Sequence, residues 1–291
     1  MIAQKLFLYS FFSTFAAMNA IYHKLLSVLS LYSEEREARA EAFYILEEAF
    51  GITRTDVYAD KVRNLSGEEQ RFFNEIVDRV GQGMPVQYAV GHSWFKGRKF
   101  SVNPDVLIPR PETEELVDMV AAWCKNKSYT ILDAGTGSGC IAISLKLALP
   151  QCTVTACDIS EKALATASEN AERLGADVIL EKQDILRFPS DKTFDIIVSN
   201  PPYVCESEKS SMQRQVIGYE PHTALFVSDK DPLIFYKSLA VMGKTAKGVF
   251  CELNAALALQ TQFLFEAEGY KHVVIEKDAF GKNRFLKTEF H

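Results

Sequence analysis

Between Ile21 and Val90 the apolar residues recur every three or four positions. Ile21, Leu25, Val28, Leu29 and Tyr32 fall on one helical face, behind Asn19 as a candidate cap. Ala38, Ala42, Ile45, Leu46 and Ala49 form a second face that ends near Gly51. Phe72, Phe73, Ile76, Val77 and Val80 form a third, opened by the capping box Ser66-Gly67-Glu68-Glu69 and stopped by Gly81. The spacing predicts a small helical bundle over residues 19–90. Its default role is structural, and the sharper alternative is docking a partner. A joint over residues 91–110 follows, in which Trp94-Phe95 and Lys99-Phe100-Ser101-Val102 flank Gly97-Arg98 as a hairpin.

After Tyr129 the period changes. Strands are predicted at Thr130–Asp133, Thr153–Asp158, Val178–Asp184, Phe194–Asn200, Gly248–Leu253, His272–Lys277 and Arg284–Glu289, with helices such as Lys162–Leu174 and Ala255–Glu268 between them. Such alternation implies an α/β fold: a doubly wound, mostly parallel sheet of seven strands over residues 111–291, with ligands at the strands' carboxyl ends. The helix carrying Leu116, Val120 and Trp123 begins at Pro109-Arg110-Pro111-Glu112-Thr113-Glu114-Glu115. Acids in a first turn are favourable charges for any helix. That leaves Arg110, set between two prolines, as a candidate functional residue.

Composition narrows the class. The 291 residues are 47% apolar and 24% charged with a net charge of −6, as in an ordinary soluble globular protein. The absence of a basic run disfavours broad nucleic-acid binding. The six cysteines form no C-x-x-C pair, so buried reduced thiols are expected rather than a metal site or disulfides. Leu6 to Ala17 has the look of a short signal-peptide core, too short to span a bilayer. The duller alternative, that translation begins at Met18 and residues 1–18 are an extension, agrees with the rest of a cytoplasmic chain without membrane segments.

Asp133-Ala134-Gly135-Thr136-Gly137-Ser138-Gly139 follows the first sheet strand and opens a helix. Its third glycine comes one position too early for a dinucleotide fingerprint, and no Lys-Ser/Thr ending marks a P-loop. Asp158, at the end of the second strand, suits the two hydroxyls of a ribose, or else caps the helix after Ser160. The carboxylate of Asp133 would repel a pyrophosphate but suits a cationic amino-acid tail. These features fit S-adenosylmethionine better than NAD. Asp184 can accept from the adenine amine and Ile185 can cover a ring face, unless both are strand-end packing.

The most unusual stretch is Asn200-Pro201-Pro202-Tyr203, directly after an apolar run. Prolines fix the backbone and remove N–H donors, leaving acceptors beside an aromatic ring. Such a wall suits a flat group bearing –NH2. The Asn200 side-chain oxygen and the Pro201 carbonyl would accept both N–H groups, and Tyr203 would pack on the amide plane. Residues 205–218 read equally as a solvated loop or a substrate-gripping flap. His222 reads as packing or capping.

Motif by motif the chain resembles the class I methyltransferases, and within them the glutamine N5-methyltransferases that modify peptide chain release factors. The likeness runs from Met18 through Ile108-Pro109-Arg110-Pro111-Glu112-Thr113-Glu114, the glycine loop, Asn200-Pro201-Pro202-Tyr203 and Glu220-Pro221-His222-Thr223-Ala224-Leu225. Asn-Pro-Pro-Tyr alone is shared with enzymes that methylate adenine or guanine amino groups. The resemblance implies methyl transfer to the glutamine of a Gly-Gly-Gln loop in class 1 release factors. It gives the helical N-terminal unit to substrate recognition and Gly135, Thr136, Gly137, Ser138, Gly139 and Asp158 to the cofactor. It puts catalysis at Asn200, Pro201, Pro202 and Tyr203, with Arg110 beside the substrate and no metal. The competing readings are a methyltransferase acting on a nucleic-acid base and a noncatalytic cofactor-binding module.

Overall fold

The computed structural model describes residues 20–189 and 192–289, so the expectations for Met18, Asn19 and the residues before them lie outside the described residues. Described residues up to Gly91, together with Gln213–Tyr219, form one compact unit. His92–Met212 and the residues from Glu220 onward form the other.

The first unit is helical: α1 (Ala20–Leu29), α2 (Glu35–Phe50), α3 (Arg54–Tyr58), α4 (Gly67–Gly81) and α5 (Val86–Val90). The three periodic faces become its core, with Leu25, Leu29, Ala38, Ala42, Ile45, Leu46, Phe73, Ile76, Val77 and Val80 buried. Burying the Leu, Ile, Val and Phe side chains among these contributes about 1.5–3 kcal/mol each. Both halves of the Ser66/Glu69 capping box form, and Gly51 caps α2 in the left-handed conformation. Tyr32 departs from the expected face because α1 ends at Leu29. Its ring is 44% exposed and its hydroxyl donates to the carbonyl of Gly81.

The second unit opens with a hairpin, β1 (His92–Phe95) and β2 (Arg98–Ser101). Its two-residue turn, Lys96-Gly97, has positive φ at both positions, the geometry that suits a twisted hairpin. Lys96 tolerates φ 49° because α6 (Pro111–Trp123) holds it: its N–H donates to Glu114 Oε1 at 2.8 Å and its Nζ pairs with Asp118.

The sheet strands are β3 (Thr130–Ala134), β4 (Thr153–Asp158), β5 (Ile179–Lys182), β6 (Ile196–Ser199), β9 (Gly248–Glu252), β10 (His272–Lys277) and β11 (Asn283–Glu289), in the order β10-β11-β9-β6-β3-β4-β5. Pairings from β5 to β9 are parallel, and β11 lies antiparallel between β9 and β10. The covering helices include α7 (Cys140–Ala148), α8 (Glu161–Leu174), α11 (Ile234–Met242) and α12 (Ala258–Ala267). Both faces are covered, so β6 and β9 are buried at every residue and read as continuous apolar runs. The expected helix over Ala255–Glu268 is split, its first three residues forming a 3-10 turn capped by Asn254. Short β7 (Val204–Cys205) and β8 (Phe226–Val227) pair separately. In sequence they are separated by α9 (Arg214–Tyr219), which belongs to the first unit, and α10 (His222–Leu225).

The hairpin, expected as a joint, is fastened inside the second unit by Asn170 of α8. This side chain is fully buried and uses all its bonding capacity. Its Oδ1 accepts from Ser101 N–H (2.7 Å) and Arg173 (2.8 Å), while its Nδ2 donates to the carbonyls of Ser101 (3.0 Å) and Ser138 (2.9 Å). One amide therefore ties the hairpin, the helix and the glycine loop together. Asn170→Ala strands buried backbone groups, and a loss of about 2–4 kcal/mol is expected in urea unfolding. An unchanged midpoint would show that the loop and hairpin hold without it.

Candidate active site

The parallel strands deliver their last residues to one edge, and a cavity of about 370 Å³ lies there. That is within the range of small-ligand sites. Gly135, Thr136, Gly137 and Ser138 form one wall, Asp158 and Ile159 a second, and Gln183, Asp184, Ile185 and Leu186 a third. Asn200, Pro202, Arg110 and Thr113 close the side beside β6, with Thr223, Ala224, Phe226 and Phe235 nearby.

The glycine loop is shaped by two carboxylates of opposite character. Asp133 is wholly buried beneath it, with Oδ2 accepting from the Thr136 hydroxyl (2.6 Å) and from Ala142 N–H (3.1 Å). Asp133 thus departs from its expected place on the cofactor wall: it does not line the cavity, because its carboxylate holds the loop against the start of α7. Burial pushes its acid up to about 7. Its Oδ1 and the Ser138 hydroxyl meet no hydrogen-bond partner among the described residues. Asp158 does reach the wall. Its Oδ2 accepts from Gly137 N–H and its Oδ1 from Ser160 N–H, both at 2.9 Å, so it steadies the loop and the start of α8 together.

The glycines divide by task. At Gly135 and Gly137, with φ of +79° and +56°, an added Cβ would meet no protein atom within 4 Å. Gly139 also departs from the cofactor role. It does not line the cavity, and its Cβ would come within 2.9 Å of Ile143 and 3.1 Å of Ala167. Its lack of a side chain serves helix packing. Asp184 lines the third wall while Oδ1 accepts from Leu186 N–H (2.9 Å), and Ile185, 7% exposed, lies beside it. Strand-end capping and cavity lining therefore coexist at Asp184.

At the second motif only Asn200 and Pro202 line the cavity. Pro201 is buried. Tyr203 packs on the core behind the wall, and its hydroxyl donates to Glu252 Oε1 at 2.8 Å. This corrects the expectation that its ring faces the substrate: a half-buried phenol takes the nearest carboxylate. Glu252, at the end of β9, also accepts from the Thr113 hydroxyl (2.8 Å), which in turn accepts from Asn200 Nδ2 (3.2 Å). No donor among the described residues occupies Asn200 Oδ1. Burial raises the Glu252 acid, and burial followed by the Glu252 charge raises the Tyr203 phenol.

Arg110 lines the cavity with its guanidinium 2.6 Å from Glu220, a buried carboxylate that also accepts from Ile108 N–H. Glu252 and Glu220 were missed as site residues. Their signal, a charged residue ending an apolar strand or preceding a proline, is too common to single out. Residues 206–211 form a 3-10 turn pinned by Glu208, which accepts from Cys205 N–H and Asn254. Five cysteines are buried, and Cys205 is partly exposed. Among the described residues no His, Cys, Asp and Glu group is arranged for a metal, and no helix is long and apolar enough to cross a membrane.

Two family models match: a methyltransferase small domain over residues 113–221 and a PrmC N-terminal domain over residues 29–91. The hMettl16 catalytic domain, solved with an MAT2A 3'UTR hairpin, superposes with a TM-score of 0.52 at 17% identity, over 78% of this chain and 84% of that one. That likeness speaks for the fold. The release factor glutamine methyltransferase of Bacteroides thetaiotaomicron is 42% identical over 89% of this chain and 95% of its own length. Its counterpart in Flavobacterium psychrophilum is 38% identical over 92% and 97%. The Bacillus subtilis enzyme is 39% identical over 94% and 99%. Likeness sustained over most of this chain and nearly the whole length of each relative means that the chain belongs to the release factor glutamine methyltransferase family.

Proposed function

We propose that this protein transfers a methyl group from S-adenosylmethionine to the side-chain amide nitrogen of the glutamine in the Gly-Gly-Gln loop of class 1 peptide chain release factors. The observation that carries the reading is the amide of Asn200, anchored through its nitrogen with its oxygen left to accept from a substrate –NH2 beside the glycine-walled cavity.

The residues present fit the cofactor. Three carboxylates line the cavity, Asp105, Asp158 and Asp184, against the single guanidinium of Arg110, a balance that favours a cation over a phosphate. The side-chain-free faces of Gly135 and Gly137 leave room for close approach. Asp158 would take the ribose hydroxyls, Gln183, Asp184 and Ile185 the adenine. The Ser138 hydroxyl, which lines the cavity without a partner among the described residues, leaves acceptor capacity there for an ammonium group. When bound, S-adenosylmethionine supplies a methyl group activated by its sulfonium.

A carboxamide nitrogen is a weak nucleophile, because its lone pair is shared with the carbonyl. Asn200 Oδ1 accepts from its N–H groups, holds the nitrogen for in-line attack and stabilises its developing positive charge. The C–N bond forms as the C–S bond breaks, and the nitrogen's extra proton leaves to water. Arg110, braced by Glu220, meets the substrate's flanking backbone. Residues 19–90 recognise the release factor, and the reaction belongs to the cytoplasm.

With Asn200→Ala, isothermal calorimetry should find cofactor affinity largely kept while methyl transfer falls about 100-fold or more. Near-normal turnover would refute the role of Asn200. Asp158→Ala should weaken cofactor binding about 10- to 100-fold, the worth of hydrogen bonds to a charged acceptor. An unchanged dissociation constant would return Asp158 to a purely local cap. Labelled cofactor offered with a purified release factor and, separately, with structured RNA should mark only the protein. Label in RNA alone would favour a base as substrate.

A further inference from the structure

Glu252 is a buried acid that the reaction does not consume. Only 1% of it is exposed, and both oxygens accept hydroxyl protons, Oε2 from Thr113 and Oε1 from Tyr203. Burial pushes its acid upward, opposed by those two hydrogen bonds and by the Arg284 guanidinium, which Asp278 holds at 3.1 Å. Both hydroxyls donate to this one group, one to each oxygen.

A threonine hydroxyl has one proton. With that proton committed to Glu252, Thr113 Oγ1 presents only lone pairs to Asn200, and its partner there must be a donor. Asn200 Nδ2 fills that place at 3.2 Å. Turned by half a revolution, the amide would set its oxygen against those lone pairs, acceptor against acceptor. We propose that Glu252, acting through the Thr113 hydroxyl, fixes which way round the Asn200 amide lies and so makes Asn200 an obligate acceptor for the substrate's N–H groups. The proposal rests on the reading of Asn200 as the residue that holds the glutamine. Glu252 and Thr113 are positioning residues, and their effect passes through Asn200.

Glu252→Gln introduces a nitrogen that can donate to Thr113 and release the constraint, while Thr113→Val removes the relay. Each should lower kcat about 30-fold with affinity for S-adenosylhomocysteine within about threefold of the parent. Thr113→Ser, which restores the hydroxyl, should recover at least about tenfold of the Thr113→Val loss. The decisive readout is the double variant: added to Asn200→Ala, Thr113→Val should cost less than about twofold more. Additive losses would overturn the proposal, as would near-parental kcat in Glu252→Gln and Thr113→Val while Asn200→Ala is inactive. Near-normal turnover of Asn200→Ala alone would instead fail the reading beneath it. Should Glu252→Gln not fold, the Thr113 pair and the double variant decide the question alone.

Discussion

Neighbouring parallel strands run the same way, so a polar residue that ends any one of them emerges on the same edge of the sheet. Four adjacent strands use that constraint here. Asp133 is the penultimate residue of β3, Asp158 the last of β4, Asn200 the first past β6, and Glu252 the last of β9. Their register is set by apolar pairs deeper in the sheet, such as Ile131 with Ile196 and Val198 with Phe250. A slip by one residue would turn every side chain of a strand to the opposite face. The Ser199 hydroxyl adds a tie across this edge, donating to the Ala134 carbonyl at 2.6 Å.

Three carboxylates are buried near this edge, and each ties separate segments together, two of them far apart in the chain. Asp133 links β3 to the start of α7, Glu220 links residues 108–110 to the segment before α10, and Glu252 links α6 to the residues after β6. Desolvating a carboxylate costs several kcal/mol, and donated hydrogen bonds offset only part of it. Apolar residues of similar volume would often be as stable. They would not define where Arg110 or Asn200 lies, so the burial reads as stability given up for a fixed site geometry.

The fold was legible because period reports burial: helical faces became the core of one unit, and continuous apolar runs became doubly covered strands. The edges were less legible. β11 enters between β9 and β10 against the direction of the others, and strand order is a property of pairing that no single segment carries. At the site, Gly135, Gly137, Asp158, Asp184, Asn200 and Arg110 all reach the cavity, since motif and strand end together locate them. Asp133, Gly139 and Tyr203 do not, for a shared reason. Residue type and spacing place a backbone at the strand ends, but whether a side chain turns toward the cavity or into the protein depends on partners such as Ala142, Ala167 and Glu252, which come from elsewhere in the fold.

The polarity of the wall also bears on what it can select. A glutamine carries a donor –NH2 where a glutamate carries a charged acceptor oxygen. Sites that hydrogen-bond a substrate N–H reject analogues lacking it by about four to five orders of magnitude, since their own buried groups are then left unpaired. On the proposed reading Asn200 Oδ1 offers the acceptor, and prolines at both following positions supply no N–H to compensate a carboxylate. A glutamate there would set charge against that acceptor. The same acceptor would suit the exocyclic amine of a base, so on the proposed reading the wall would select for –NH2 and leave the choice of what bears it to other surfaces of the protein.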